Sequence, residues 1–424
     1  MRFGRTLAPA AAPLTLGDLC HGLLGLFRRK GELQRRRTEF CHYFGMRHCF
    51  FVSSGTSALA LILGLLKEIH PDRDEVLIPA LTCYSVPSAI VAAGLRPVLC
   101  DIEPGTLDFN FDQLQGKLTN PKLLCVVPTH LLGLPGNLSR LRGMLRDNRV
   151  MVVEDAAQAL GGEWQGHKLG TLGDVNFFSL GRGKALSAVE GGVILTQDDE
   201  LGRRLRDRVT ALPSYRVGEL LVLLGYALAL SLLLRPCWYW LPASLPFLKL
   251  GTTRFDPHFR SCRMTGFQAG LLSGWQGKLA RLRRIRRDHV RYWAMSLPGR
   301  GLPAAGRGDQ NPDLIRFPLL AESAAVAEKT VAEGVRHGLG LAMTYPDAVS
   351  GIAALREEFA GEDYPVARRT ARQLVTLPVH SFVSYADRTR ILRLLADVAA
   401  EGGAAAADFS GGRLQCRTVA GKGG

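Results

Sequence analysis

Short β-branched runs alternate along the chain with longer apolar stripes at helical spacing, a rhythm that predicts strands and helices in turn and an α/β fold. Leu16, Leu19, Leu23, Leu24 and Phe27 recur at that spacing and end in Arg28-Arg29-Lys30, which predicts a docking helix with a cationic end, or one lying on a membrane surface. The run CFFV reaches Ser53-Ser54-Gly55-Thr56-Ser57 and gives way to a strongly apolar helix. From Glu75 to Phe109 the order is strand, helix, strand, as in a βαβ unit, and LLCVVPTHLLG is a further strand ending near His130. From about Arg300 a smaller α/β region carries Tyr345-Pro346, the strand LVTLPV and a closing helix near Ala386–Ala400.

One stretch breaks the rhythm. Leu220 to Leu234 is apolar throughout but shorter than the roughly 20 residues that cross a bilayer. Arg216, Arg235 and the group Trp238-Tyr239-Trp240 flank it as interfacial anchors would. Two readings stand beside each other: a helix buried in a subunit interface, and a peripheral membrane contact through 216–241. Residues 1–13, rich in Pro and Ala, read as loose, and 403–424 as a disordered tail.

Composition adds bounds. With 424 residues, 47% apolar and 21% charged, the chain is globular and exceeds one ordinary core. Its net charge of +15 suits anionic partners without choosing among them. Nine scattered cysteines show no metal-ligand spacing and read as reduced thiols, which places the chain in the cytoplasm. The basic run Arg281, Arg283, Arg284, Arg286, Arg287 has no interleaved aromatics, so it is read as a solvated helix face and not as a nucleic-acid site.

Candidate chemistry lies between Val152 and Gly192. Asp155 ends one β-branched run and Lys184 sits in a Gly-containing turn after another. Singly, each is a strand-end cap or a solvated turn residue. Together they are what pyridoxal 5′-phosphate (PLP) requires: an amine to hold the cofactor and an acid to keep the ring nitrogen protonated. The strand–turn–helix at Ser53–Ser57 is a ready phosphate cradle, because free N–H groups and the helix dipole both favour an anion. The GRGK at 181–184 is no P-loop, since the preceding Gly is missing and Ala185 replaces the magnesium-holding Ser/Thr.

These motifs resemble the DegT/StrS group of PLP-dependent nucleotide-sugar aminotransferases, from about Glu39 to Leu377. The matching positions are Glu154-Asp155-Ala156-Ala157-Gln158, Gly173-Asp174, Phe178-Ser179, Lys184 and Glu190-Gly191-Gly192. The resemblance implies a fold-type-I architecture: a large, mostly parallel sheet domain, a small C-terminal α/β domain, and a homodimer with shared active sites. It makes Lys184 the catalytic residue, and sets Gln158 near the cofactor's phenolic oxygen. Thr56, Ser57 and Ser179 would hold the phosphate, and Tyr84 would stack on the ring, one step later than the family's aromatic, with Cys83 in between. In the family an Asn and an Arg reach over from the neighbouring subunit; Ser261 and Arg263 stand at those positions.

The expected division is an arm and helix over 1–37, a PLP-binding domain over 38–275 with an apolar insertion at about 212–250, and a small domain over 276–402. The expected reaction moves an amino group from an amino acid, glutamate, to a nucleotide-linked keto-sugar in surface polysaccharide synthesis, without a metal. Two alternatives remain at this point: a membrane-associated regulatory member of the fold, and a PLP-dependent sugar dehydratase, against which Lys184 argues because such relatives carry His there.

Overall fold

The computed structural model describes residues 4–245, 253–299, 302 and 313–401. The main sheet takes its strands in the order β1–β9–β8–β5–β4–β2–β3. These are β1 (His48–Val52), β2 (Glu75–Pro79), β3 (Arg96–Cys100), β4 (Leu123–Val126), β5 (Met151–Asp155), β8 (Val175–Ser179) and β9 (Gly192–Thr196). The pair β6 (Glu163–Trp164) and β7 (His167–Lys168) forms a separate small ribbon. From β3 across to β8 every pairing is parallel, and β9 runs antiparallel to both β8 and β1. Such strands need both faces covered, which explains why Val76, Ile78, Val126, Val152 and Val153 are fully buried.

The same part of the chain forms helices α1 (Leu16–Phe27), α2 (Arg29–Phe44), α3 (Gly55–Ile69), α4 (Ser85–Ala92), α5 (Phe111–Lys117), α6 (Leu138–Met144) and α7 (Asp199–Ala211); α2, α3 and α7 pack on β1, and α1 packs on the later helix Gly266–Leu271. Thr15 starts α1 through a reciprocal cap: its hydroxyl accepts from Asp18 N–H (3.1 Å) while the Asp18 carboxylate accepts from Thr15 N–H (2.9 Å). Ser54 starts α3 by accepting from Ser57 N–H at 3.0 Å.

A second sheet, antiparallel, has the order β10–β12–β11 from β10 (Arg316–Leu320), β11 (Ala342–Met343) and β12 (Leu374–Pro378). Between the two sheets the chain forms α8 (Val217–Leu233), α9 (Trp240–Ala243), α10 (Gly266–Leu271) and the long α11 (Trp275–Ser296). The helices α12 (Ala324–Arg336), α13 (Pro365–Gln373) and α14 (Tyr385–Glu401) accompany the smaller sheet, with α12 packed on both others.

Two sequence expectations change. Residues 7–12 are not loose: Leu7, Ala8, Ala11 and Ala12 are buried. Small apolar side chains let the backbone lie close. Leu7 N–H donates to Gly338 O (2.9 Å), and a ring nitrogen of buried His380 lies 2.8 Å from Ala8 O. The basic run on α11 is not uniformly solvated either. Arg286 is buried, and Arg283 and Arg287 both bond the carboxylate of Asp313. The proposed tail, 403–424, lies outside the described residues.

The apolar stretch forms α8, which buries only Leu223, Ala227 and Ser231, one turn apart each. Val217, Leu221, Val222, Leu228 and Leu232 are exposed, as is Trp238 beyond it. No helix among the described residues is long and apolar enough to cross a membrane.

Candidate active site

Strands β1, β5 and β8 run the same way, so their carboxyl ends open on one edge of the sheet, where α/β folds bind ligands. Asp155 closes β5 and Ser179 closes β8. Val52 of β1 and Ser179 of β8 both register with Gly192 of β9, so the Ser53–Ser57 turn comes beside Ser179. Gly192 allows that approach, because a Cβ there would meet Ser54 O at 2.1 Å. Gly55, the first residue of α3, faces Ser179 so closely that a Cβ would stand 2.9 Å from the Ser179 Cβ.

The cradle at the start of α3 therefore has room only for a glycine, and its first N–H groups have no partner within the helix. The half-buried Thr56 stands at this end. The Ser57 hydroxyl is fully buried and already engaged, 3.1 Å from Ser53 Oγ and accepting from Ser54 Oγ at 3.0 Å. Ser179 Oγ accepts from Gly181 N–H at 3.3 Å.

Asp155 is buried, and burial pushes its carboxyl above the ordinary range, opposed by the Ala157 N–H it accepts (3.0 Å) and by the positive charge of Lys184. That mutual influence puts the Lys184 ammonium within electrostatic reach of Asp155. Gln158 is oriented from two sides: its carbonyl accepts from Leu132 N–H (3.2 Å), and its amide donates to the Tyr345 hydroxyl (3.1 Å).

A cavity of about 390 Å³ opens beside Lys184 and Gln158, while Asp155, Ser179, Thr56 and Ser57 are not among its wall residues. Its walls include Lys184, Gln158, Cys83, Arg316, Thr344 and Tyr345, with Ala8, Pro9, Ala10 and Ala12 of the amino-terminal arm and Leu230, Leu234 and Tyr239 from the apolar segment. Tyr84 is not part of that wall. Its hydroxyl donates to Asp347 O (3.0 Å) and accepts from Asp347 N–H (3.1 Å), and its ring stacks on Tyr345 with centroids 6.3 Å apart. Burial pushes the Tyr84 phenol up to about 12.

Ser261 and Arg263 also lie off the cavity wall. Their segment pairs with the end of β1 through Val52 and Arg263, and the Arg263 guanidinium donates to Ser214 Oγ at 3.1 Å. His130, beyond the end of β4, is buried against Glu154 with 2.8 Å between Nε2 and Oε1. Sequence reasoning passed over Arg316, Thr344 and Tyr345 as binding residues, although Tyr345-Pro346 was noted in the smaller α/β region. Among the described residues there is no cluster of three or more metal-ligating side chains.

The residues present fit PLP. A cavity-lining amine lies within electrostatic reach of a buried acid, and a glycine-gated helix N-terminus lies beside a serine at the same sheet edge. The fold is the PLP fold-type-I architecture of sugar aminotransferases. The chain superimposes on Helicobacter pylori PseC, an aminotransferase involved in the biosynthesis of pseudoaminic acid, with a TM-score of 0.75 at 16% identity, covering 93% of this chain and 99% of the other. For the sugar aminotransferase CalS13 from Micromonospora echinospora the TM-score is 0.72 at 22% identity, covering 92% and 99%.

Residues 25–216 match the model of the DegT/DnrJ/EryC1/StrS aminotransferase family. Among curated relatives, L-glutamine:2-deoxy-scyllo-inosose aminotransferase from Streptomyces kanamyceticus is 35% identical over 182 residues, 43% of this chain and 42% of that protein. GDP-perosamine synthase from Caulobacter vibrioides is 35% identical over 167 residues, 39% of this chain and 44% of that protein. The match thus spans less than half the length of these relatives.

Proposed function

We propose that the protein is a PLP-dependent sugar aminotransferase that takes an amino group from an amino acid, glutamate, and gives it to a nucleotide-linked keto-sugar in surface polysaccharide synthesis. The observation that carries this reading is that Lys184, in the cavity wall, lies within electrostatic reach of the buried Asp155. When bound, PLP supplies an aldehyde that accepts the amino group and a protonated ring that takes up electrons. Asp155 holds the proton at the ring nitrogen, a task its burial suits because no water competes for it. Lys184 would hold the cofactor through Nζ, and its amine would move the proton at the donor's Cα. Gly55, Thr56 and Ser179 take the phosphate, and Gln158, clamped by Leu132 and Tyr345, faces the ring oxygen.

The large region 38–275 with its apolar insertion and the region 276–402 are read as the two domains of one such subunit. A homodimer is part of the same reading: Leu16, Leu23, Leu24 and Phe27 give α1 an exposed apolar face of the kind a second copy covers. The exposed face of α8, with Arg216 and Arg235 at its ends and Trp238 beyond, suits the surface of an anionic bilayer.

The deciding experiment adds PLP and then L-glutamate to the purified protein and follows the cofactor's visible absorbance. Uptake with a new band, lost on adding glutamate, supports the reading, and a protein that binds no PLP ends it. Pelleting with anionic vesicles, compared between the wild type and Leu221→Glu/Leu228→Glu, tests the membrane contact. Equal recovery of both proteins in the supernatant overturns it.

A further inference from the structure

The cavity beside Lys184 is lined with hydrogen-bond donors and with positive charge. Among the described residues no Asp or Glu stands in its wall, while Lys184, Arg182 and Arg316 do. Arg182 is exposed, and its guanidinium lies over the Tyr226 ring, 4.9 Å from the centroid, so it belongs to the rim. Arg316 differs. It begins β10, is half-buried, and among the described residues its guanidinium has neither a carboxylate partner nor a hydrogen bond. The polar groups that bear on its charge are the phenols of Tyr345 and Tyr239, and burial lowers its proton affinity. A desolvated guanidinium without an anion is costly, and in a cavity wall it is a place for an anionic ligand.

A second observation points the same way. The hydroxyl of Thr344, in the same wall, is buried and has no partner among the described residues. Tyr345 accepts from the Gln158 amide, which leaves its own O–H free to donate. One flat guanidinium fork and two hydroxyl donors thus face a space with no competing acceptor carboxylate.

We propose that Arg316, with Thr344 and Tyr345, binds the α-carboxylate of the amino-acid donor. This rests on the aminotransferase reading. The ligand is a carboxylate because a planar, singly charged anion matches one guanidinium in bidentate fashion, with its remaining lone pairs turned to the hydroxyls. Position agrees with this. In any amino-acid donor the carboxylate and the amine share one carbon, so an amine arriving at Lys184 brings its carboxylate into the same cavity. The diphosphate of a carrier, larger and more highly charged, is better served at the rim by Arg182.

The test uses the PLP-loaded protein and the variants Arg316→Gln and Thr344→Val. The rate at which L-glutamate or L-glutamine discharges the cofactor band is measured against donor concentration, and the acceptor half-reaction is measured separately. Arg316→Gln is expected to take up PLP normally and to need about 10–100-fold more of either donor for half-saturation, with acceptor half-saturation unchanged. Thr344→Val, a near-isosteric change, is expected to shift the donor alone by about tenfold or less.

Binding of glutarate, which lacks the amine, to the cofactor-free protein is read by calorimetry, and Arg316→Gln is expected to weaken it at least tenfold. Unchanged donor half-saturation and unchanged glutarate binding in Arg316→Gln overturn the proposal. So does a shift confined to the acceptor, which gives Arg316 to the carrier phosphate. If Arg316→Gln fails to fold, Thr344→Val decides by the same criteria. A wild type that takes up no PLP defeats the functional reading itself, and is recognised before any variant is compared.

Discussion

The Arg286 guanidinium, buried inside α11, donates to the backbone carbonyl of Ala185 at 2.8 Å and reaches that of Lys184 at 3.4 Å. Desolvation lowers its pKa to about 10, and no acid is bonded to it. A buried charge is thus used to hold the turn that presents the lysine. Gly183, at φ 74°, occupies the left-handed conformation this turn needs. Arg286→Met keeps much of the packing and strands the carbonyls, so a loss of about 1–3 kcal/mol is expected in denaturant unfolding. Slower covalent uptake of PLP should accompany it. Unfolding and uptake both equal to wild type would show that the turn stands without the arginine.

Removing the amine is more drastic. Lys184→Ala is expected to bind PLP loosely, to show no absorbance band of a covalently held cofactor, and to lose transamination by at least about 10²–10⁴-fold. Turnover retained in that variant would remove Lys184 from the chemistry.

Gly55→Ala tests the cradle. The added methyl stands 2.9 Å from the Ser179 Cβ, at packed side-chain carbon and not at a flexible tip. Overpacking of this kind costs about 1–3 kcal/mol. It also closes the space above the first N–H groups of α3. PLP titration of the cofactor-free protein should show weaker binding, while Gly143→Ala, which meets open space, leaves it unchanged.

Asp155 carries a pH signature. Its carboxyl is raised by burial from the ordinary 3.8. The charged form is therefore penalised in the fold and not in the unfolded chain. The penalty is absent below 3.8, grows as pH rises from there to the raised folded value, and is constant above. Cofactor-free Asp155→Asn should then be more stable than wild type at pH 7, with the advantage shrinking as pH falls below the folded value. The amide oxygen can still accept from Ala157. Denaturant curves at several pH values check this, and a variant less stable than wild type at pH 7 would contradict it. The same variant should lose most activity, because a neutral amide does not keep the ring nitrogen protonated.

The half of the site built on strand ends was legible in the sequence. Asp155, Gln158, Ser179 and Lys184 follow apolar runs, and a run of that kind has one direction and one end. The other half comes from distant segments. Arg316 opens LIRFPLL, which announces a strand but not what its first side chain faces, and Thr344 and Tyr345 follow β11 in the same way. Arg286 carried a signal that composition hides. It lies on the stripe of Trp275, Leu279, Val290 and Trp293, all buried on one face of α11, whereas a count of arginines treats it as one of five. Tyr84 illustrates the opposite case. Its shift past Cys83 was visible, but its bond to Asp347 depends on how the smaller sheet is seated.

Because Ala8, Pro9, Ala10 and Ala12 line the cavity and Leu7 is stitched to Gly338, the stretch 7–12 is a component of the pocket and not packaging around it. Shortening or replacing that stretch would therefore rebuild a wall of the pocket, and binding measured on such a variant would report a different chamber.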